Sequence, residues 1–478
     1  MGCDEVKDEK DQTKKIMKAT LLHKATIVTS EQESTGSILI IGDKIEQVIY
    51  SDNERFEYLI YNIKKNYPEL EVIELEGKWI MAGGIDAHVH FREPGLTHKA
   101  DMETESMAAV AGGVTSVIDM PNTSPVTTSA EALAEKLELT KGRVAANIGF
   151  NIGATNANHQ EICEMLEGRS LVKPENIGGV KVFMGSSTGN MLVDSGDALT
   201  NFFNIKERPV LVHCEDEGTI KANMDKAKEK YGEEVPFTEH ENIRSRFACI
   251  KSSIKALELA ISKGTKLVLC HISTKEELEM VRAAKLNNPE IIAETSCTYL
   301  WFCNEDYARL GSKVKCNPSV KTANDRDALI QGLADGVIDT IGSDHAPHLL
   351  SEKDATYFKA PSGLPTIQQS LPALLTIAAK NEIPLTQIAK AFSEKTADLY
   401  GLKRGKIKEG YAADLVIFDL NKEYIVKAED LYGKCGWSPY EGETLKGYIE
   451  MVLVNGETAL KDGKVTAEKY GRLLEFNS

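Results

Sequence analysis

Residues 83–98, GGIDAHVHFREPGLTH, place two histidines one residue apart at the end of an apolar run that begins at Trp79. Side chains at positions i and i+2 of a β-strand point to the same face. His88 and His90 are therefore predicted to project together from a strand end, and Arg92 follows where the chain leaves the strand. Two imidazoles on one face of a buried strand are energetically costly unless they bind something. The group that they bind is usually a divalent metal. The stretch predicts a buried strand that ends at a metal site.

Strand and helix patterns alternate from residue 79 to about residue 400, which is typical of a parallel β/α architecture. The clearest amphipathic segments are 99–111, 129–141 and 242–263, and Gly112-Gly113 is predicted to cap the first of them. Eight such repeats over roughly 320 residues fit an α/β fold of the (β/α)8 TIM-barrel type. The eight predicted strands are 80–88, 115–120, 145–151, 179–184, 210–213, 266–271, 291–295 and 338–343.

The two ends of the chain have a different pattern. Residues 18–50 alternate apolar and polar side chains as in an antiparallel meander, and residues 71–76 add another strand. Hairpin patterns return at 410–420 and 449–456, the second ending in Asn455-Gly456. Each end is too small to bury a core alone, so we expect both to combine into a small β-sandwich beside the barrel. The predicted organisation is a polar lead (1–17), an N-terminal sandwich segment (18–78), the metal-dependent barrel (79–400) and a C-terminal sandwich segment (401–478).

Composition narrows the class of protein. The chain has 478 residues, a net charge of −16 and a mean hydropathy of −0.26, without any apolar run of membrane-spanning length. The acidic balance argues against nucleic-acid or anionic-membrane partners, and any anionic substrate must be attracted by local metals or arginine. The nine cysteines are scattered and include no C-x-x-C pair, and the sequence starts without an apolar leader. Both features indicate a cytoplasmic protein with free thiols. We expect a small-molecule substrate.

Ionisable residues recur where functional side chains of such a barrel lie, at the C-terminal ends of the strands. His213 and His271 end the fifth and sixth predicted strands, Asp344 follows the eighth, and Lys181 lies inside the fourth. Convergence of these residues at one mouth predicts a metal site. Its candidate ligands are His88, His90, Lys181, His213, His271 and Asp344.

The other histidines that precede residue 300 lie outside this pattern, and we interpret them as surface or structural residues. Asp86, inside the first strand, is predicted to pack or hydrogen-bond rather than to bind metal. The histidines in question are His23, His98, His159 and His240.

Lys181 is unusual because its neighbours Val180, Val182 and Phe183 are apolar. Burial favours the neutral amine of a lysine. A neutral amine can add carbon dioxide and become a carbamate, whose two oxygens could bridge two metals. The alternative is an ammonium group that reaches the polar barrel mouth along its aliphatic stem.

Five motifs, HVHFREPG, MPNTSPV, HCED, CHIST and SDHAPH, together resemble those of the cyclic amidohydrolases, and among them the dihydroorotases. The resemblance extends from about residue 20 to residue 465. It implies a site with two zinc ions per subunit and a CO2-derived carbamate on Lys181. One zinc would be held by His88, His90, Asp344 and the Lys181 carbamate, and the other by the same carbamate, His213 and His271.

The resemblance also implies a substrate and a reaction. Arg92, Asn122 and His348 would hold the substrate carboxylate, with Asn317 near the ring. The reaction would be the reversible hydrolysis of (S)-dihydroorotate to N-carbamoyl-L-aspartate in pyrimidine biosynthesis. A hydroxide shared by the metals would attack the ring amide, and Asp344 would accept a proton and return it to the leaving nitrogen. The family is often dimeric, so a homodimer is expected.

Two alternatives remain open. A hydantoinase, dihydropyrimidinase or allantoinase would share the metal core, and manganese or cobalt could replace zinc. Hydantoinases generally lack an arginine at the position of Arg92, which favours dihydroorotate. However, Thr298-Tyr299 stands near where many dihydroorotases have two histidines, and Lys321 stands where arginine is common. The second alternative is an inactive dihydroorotase-like scaffold that partners a transcarbamoylase, but such relatives lose metal ligands, and here all six positions are filled.

Overall fold

The computed structural model describes residues 18–185 and 191–477, so the polar lead predicted over residues 1–17 lies outside the described residues. The β-strands, in chain order, are β1 (Ala19–Val28), β2 (Glu33–Ile41), β3 (Lys44–Tyr50), β4 (Glu71–Glu74), β5 (Trp79–Ala82), β6 (Gly84–Val89), β7 (Val114–Asp119), β8 (Asn147–Gly153), β9 (Ile177–Phe183), β10 (Val210–His213), β11 (Leu267–Leu269), β12 (Ile291–Thr295), β13 (Thr340–Ile341), β14 (Leu415–Ile425), β15 (Thr444–Val454), β16 (Glu457–Lys461) and β17 (Lys464–Val465).

The α-helices lie mainly between the central strands. They are α1 (Phe56–Asn66), α2 (Met102–Ala111), α3 (Ala130–Glu138), α4 (His159–Leu166), α5 (Gly196–Phe203), α6 (Glu217–Tyr231), α7 (His240–Ile243), α8 (Arg246–Lys263), α9 (Lys275–Lys285), α10 (Cys297–Trp301), α11 (Asp306–Leu310), α12 (Ala323–Ala334), α13 (Leu350–Lys353), α14 (Ser370–Asn381), α15 (Leu385–Ala389) and α16 (Lys395–Leu399). Gly112 caps α2, as predicted, and Gly113 follows with a φ of +77°. Within the described ranges, no helix is both long and apolar enough to cross a membrane.

Strands β6 to β13 form a parallel eight-stranded sheet whose spatial order is their order along the chain. This sheet curls into a nearly closed barrel, so the predicted (β/α)8 architecture is confirmed. The first and last strands approach each other where the His90 N–H donates to the His345 carbonyl at 2.8 Å. Because all the strands are parallel, their carboxyl ends meet at one mouth.

Asp86 supplies a further link across this closure. Its Oδ1 accepts hydrogen bonds from the backbone N–H groups of His88, at 3.1 Å, and Ser343, at 3.0 Å. Burial raises the pKa of the Asp86 carboxyl to about 7. As expected from the sequence, Asp86 forms hydrogen bonds, and through them it joins the segment that carries the histidine pair to the segment before Asp344.

The two ends of the chain form one mixed sheet beside the barrel. Its nine strands run in the order β17-β16-β15-β14-β5-β1-β2-β3, with β4 also paired to β1. A separate apolar core combines residues from both ends, among them Ile27, Ile40, Leu415 and Leu453. The prediction that the two β-rich ends combine is therefore confirmed. The predicted Asn455-Gly456 turn joins β15 to β16 with both φ angles positive, as its residue types favour.

The predicted strand 80–88 is wrong in one respect, because the chain divides it between the two sheets. Strand β5 pairs with β14 and β1 in the mixed sheet, and β6 begins the barrel. Gly83 lies at the change of direction, and a Cβ there would come within 2.2 Å of the Thr115 side chain. The close approach of the Thr115 side chain at this position favours glycine, which has no Cβ.

The last residues of the chain return to the barrel at the end opposite the mouth. The N–H groups of Leu474 and Phe476 donate to the carbonyls of Ile148 and Glu175, each at 2.8 Å. The Phe476 ring is 1% exposed and packs 5.7 Å from the ring of Tyr400. This segment covers the amino ends of β8 and β9.

Replacing Phe476 with alanine should lower the free energy of unfolding by about 3–5 kcal/mol, because the substitution leaves a cavity at the base of the barrel. Urea denaturation followed by tryptophan fluorescence measures the loss. Phe247→Ala is the matched control, since that ring is 62% exposed, and its effect should stay within about 0.5 kcal/mol. Equal losses for the two variants would contradict the packing described.

Candidate metal centre and active site

One cavity at the mouth of the barrel brings together all six predicted metal-binding side chains, although they come from five different strands. Its empty volume, including the space that opens to solvent, is about 360 Å³. Asn317, the residue predicted to lie near a substrate ring, also lines it. The remaining lining includes Phe183, Ala346, Ser362 and Gly363.

His88, His90 and Asp344 form the first group of donors. Asp344 Oδ1 lies 3.1 Å from His90 Nε2 and 3.5 Å from His88 Nε2. The three ligand atoms lie within 4.8 Å of one another, so one ion could contact all of them. Burial alone would raise the pKa of Asp344, but the three neighbouring histidines, His88 foremost, hold it below its usual range. An ionised carboxylate with two imidazoles is a donor set that suits zinc and similar divalent ions.

Lys181, His213 and His271 form the second group. His213 Nδ1 and His271 Nε2 are 3.0 Å apart, and Lys181 is completely buried with its Nζ 3.4 Å from Cys270 Sγ. Burial lowers the pKa of both histidines, which favours the neutral imidazole that a metal requires. His271 Nδ1 is buried without a hydrogen-bond partner among the residues that the structure describes.

Three outer partners fix which ring nitrogens face the cavity. Glu294 contacts His88 Nδ1 at 2.6 Å, and Asn122 Oδ1 contacts His90 Nδ1 at 2.6 Å. In the same way Glu215 contacts the Nε2 of His213 at 2.9 Å. Such partners set the tautomer and orientation of histidine ligands. They leave Nε2 of the first two histidines, and Nδ1 of the third, directed to the cavity.

The sequence interpretation missed both glutamates. Glu215 stands in the HCED motif two residues after His213, where strand alternation places it on the same face. Burial alone would raise the pKa of Glu215, but Arg244 and the hydrogen bond to His213 outweigh that effect and lower it. Glu294 is a carboxylate within the otherwise apolar strand β12, which was an available signal for a buried polar contact.

His88, Cys270 and Glu294 also place potential ligand atoms within 4.8 Å of one another. This group lies behind His88, and neither Cys270 nor Glu294 lines the cavity. Burial raises the pKa of the Cys270 thiol to about 12 and that of the Glu294 carboxyl to about 7. The Glu294 carboxyl is already hydrogen-bonded to His88, so its position suits a role in holding that histidine in place.

Arg92 and His348, both predicted to contact a substrate carboxylate, lie together beside the cavity. Arg92 is buried, its Nε donates to the Pro347 carbonyl at 3.1 Å, and its Nη2 lies 3.1 Å from His348 Nε2. Within the described residues, no carboxylate forms an ion pair with this guanidinium. Burial lowers its pKa, to about 10, so the group stays charged near neutral pH. A buried cation without a direct ion-pair partner is able to accept an anionic group.

Asn122 and Asn317 are placed differently from each other. Asn122 lies on the outer side of His90, as its hydrogen bond shows, and is not part of the cavity lining. Asn317 lines the cavity, and its Oδ1 is buried without a hydrogen-bond partner among the described residues. An amide oxygen in that state is available to a polar substrate group.

The backbone is strained where these side chains leave their strands. Arg92, His271 and Asp344 have φ angles of +64°, +38° and +49°, a region that residues other than glycine seldom adopt. The predicted strands 266–271 and 338–343 are correspondingly shorter, because β11 ends at Leu269 and β13 at Ile341. Strain of this kind persists where the surrounding structure holds it, and it concentrates at functional sites.

Comparison with known proteins agrees with the fold. A family profile described as "Amidohydrolase family" matches residues 79–459, and the chain belongs to this family. Dihydroorotase of Methanosarcina mazei is 35% identical over 417 residues, covering 84% of this chain and 89% of that protein. Dihydroorotase of Staphylococcus epidermidis is 31% identical over 432 residues, covering 90% and 99%.

Solved structures show the same fold. An L-hydantoinase (dihydropyrimidinase) from Arthrobacter aurescens superposes with a TM-score of 0.87 at 26% identity, covering 95% of this chain and 99% of that one. A dihydropyrimidinase from Brevibacillus agri gives 0.84 at 24% identity, over 96% and 99%. The family and the relatives together define this chain as a cyclic amide hydrolase. The family is generally metal-dependent, and the grouped histidines and aspartate provide the donors.

Replacing Glu294 with glutamine should weaken metal binding by roughly 10- to 100-fold, because His88 loses the carboxylate that orients it. Dialysis against buffered zinc, followed by elemental analysis, measures the affinity. Glu290→Gln, an exposed glutamate at the start of the same segment, should bind metal as the wild type does. Unchanged affinity in the Glu294 variant would contradict the supporting role.

Proposed function

We propose that this chain is a dihydroorotase, which catalyses the reversible hydrolysis of (S)-dihydroorotate to N-carbamoyl-L-aspartate in pyrimidine biosynthesis. The observation that carries the proposal is the buried Arg92 guanidinium, which lacks a carboxylate partner among the described residues and lies beside the cavity with the metal donors. Dihydroorotate is a cyclic amide with a carboxylate, so it matches both features. The dihydroorotases at 31–35% identity support the same substrate.

The donor set fits two zinc ions. His88, His90 and Asp344 would hold one ion, His213 and His271 the other, and a carbamate on Lys181 would contact both. Bound there, the ions would activate water and polarise the amide carbonyl. The carbamate is supported by the complete burial of Lys181 beside apolar residues, without an acidic ion-pair partner in the described ranges.

Asp344 would move the proton. Its lowered pKa keeps it ionised, so it can accept a proton as the amide is attacked. The same low pKa makes the protonated form a strong acid, which favours return of the proton to the leaving nitrogen. Proton transfer by a positioned side chain typically contributes about 10²–10⁴-fold in rate.

Arg92 and His348 would orient the substrate through its carboxylate. A guanidinium suits this role, because its planar N–H groups can bind both oxygens of a carboxylate. Asn317, with a buried amide oxygen that faces the cavity, would bind an N–H of the ring. Holding the ring in this way places the reacting amide over the metal donors.

A hydantoinase or dihydropyrimidinase activity is the second candidate. The similarity to the L-hydantoinase structure favours it, and the metal donors alone do not separate the two activities. The charge of Arg92, which has no ion-pair partner among the described residues, favours dihydroorotate, because hydantoin and dihydrouracil have no carboxylate to neutralise it.

A substrate panel tests the proposal. Metal-loaded enzyme should turn over L-dihydroorotate with a higher kcat/KM than hydantoin, dihydrouracil or allantoin. Arg92→Met should lower kcat/KM for dihydroorotate by roughly 100-fold or more, since a carboxylate would then be buried without its charged partner. Arg55→Met, on an exposed arginine directly before α1, is the control. A wild-type preference for an uncharged ring would overturn the assignment.

A further inference from the structure

We propose that Lys99 is a positioning residue that fixes the tautomer of His348 and so sets the preference of the site for an anionic substrate. The inference rests on the proposed function, because it takes the carboxylate receptor to be Arg92 and His348. Lys99 belongs to the loop that joins β6 to α2, seven residues after Arg92.

Two contacts hold the Lys99 side chain, which is 13% exposed. Its Nζ lies 3.1 Å from His348 Nδ1 and 2.8 Å from Glu352 Oε1. Glu352 is itself held, because its Oε2 accepts a hydrogen bond from the Leu349 N–H at 2.9 Å. Lys99 and Glu352 together add no net charge, so the effect of Lys99 on an anion must act chiefly through His348.

The contacts of the His348 ring define its tautomer. Burial, and then the positive charges of Arg92 and Lys99, lower its pKa, so the ring is neutral and carries one N–H. An ammonium group can only donate, so the Lys99 contact favours an unprotonated Nδ1 and a hydrogen on Nε2. The Ser362 carbonyl, which can only accept, lies 3.1 Å from Nε2 and agrees with this arrangement.

The Nε2–H tautomer places two donors side by side. Arg92 Nη2 lies 3.1 Å from His348 Nε2, and a guanidinium has no acceptor. The ring N–H already has the Ser362 carbonyl as its acceptor, whereas the Arg92 Nη2 group cannot donate to a protonated ring nitrogen and needs an acceptor, which a carboxylate oxygen supplies. In the other tautomer, Nε2 would accept from Arg92, which would tie the arginine to the ring and remove one donor from the receptor.

The position of His348 does not depend on Lys99 alone. The Trp437 indole Nε1 donates to the His348 carbonyl at 2.8 Å, and the segment is buried. Removing the Lys99 ammonium should therefore change the tautomer of the ring and leave the loop in place.

Kinetics with the metal-loaded full chain provide the first test. Lys99→Met should raise KM for L-dihydroorotate by roughly 10- to 100-fold, the usual effect of losing a hydrogen bond to a charged group, with kcat changed by less than about threefold. The inhibition constant of uncharged dihydrouracil should not change. Lys99→Arg should retain most of the affinity because it keeps a donor. Lys359→Met, which removes an exposed charge from the Leu349–Gly363 segment, is the control.

Nitrogen NMR of histidine-labelled protein provides the second test, with the His348 signals identified by their loss in His348→Gln. The wild type should show a protonated Nε2 and an unprotonated Nδ1, and Lys99→Met should shift the ring toward the opposite tautomer. A protonated Nδ1 in the wild type, or an unchanged ring and KM in the variant, would overturn the inference. If the wild type failed to turn over dihydroorotate, the proposed function would be wrong. The role of Lys99 would then be tested only by the NMR signals of the two His348 ring nitrogens.

Discussion

The structure depends on the convergence of buried nitrogen and oxygen donors at the mouth of the barrel. These donors come from positions between residues 88 and 344, and only the parallel arrangement of strands brings them together. Three of them have ligand atoms within 4.8 Å of one another, so several polar groups are concentrated at a mostly buried position. A divalent cation is the usual compensation for a buried cluster of this composition.

The surroundings of the cluster serve to hold it in one geometry. Glu294, Asn122 and Glu215 fix the outward nitrogens of three histidines, and Asp86 links the two segments that bring His88 and Asp344 together. Positive φ angles direct three site residues into the mouth. The strain and the buried charges lower stability locally, and the extensive apolar core of the barrel offsets that cost. The proposed anion receptor follows the same principle, because Lys99 Nζ and the Ser362 carbonyl contact opposite nitrogens of His348.

The sequence alone predicted the features that depend on residues close together along the chain. Strand alternation placed His88 and His90 on one face, and the position of His213 and His271 at strand ends follows from the β/α repeat. Contacts between distant segments could not be predicted in this way. His88 meets Glu294 across 206 positions, and no periodicity reports that pair. The division of the first predicted strand likewise depends on the approach of Thr115 to Gly83, which a single sequence does not reveal.

Crystals grown with zinc and bicarbonate, with anomalous diffraction recorded on both sides of the zinc edge, test the central claim most directly. The account predicts two zinc peaks in the cavity, one beside His88, His90 and Asp344 and the other beside His213 and His271. It also predicts density for a carbamate on Lys181 between them. A cavity without zinc under these conditions, or two zinc ions beside an unmodified Lys181 amine, would contradict it.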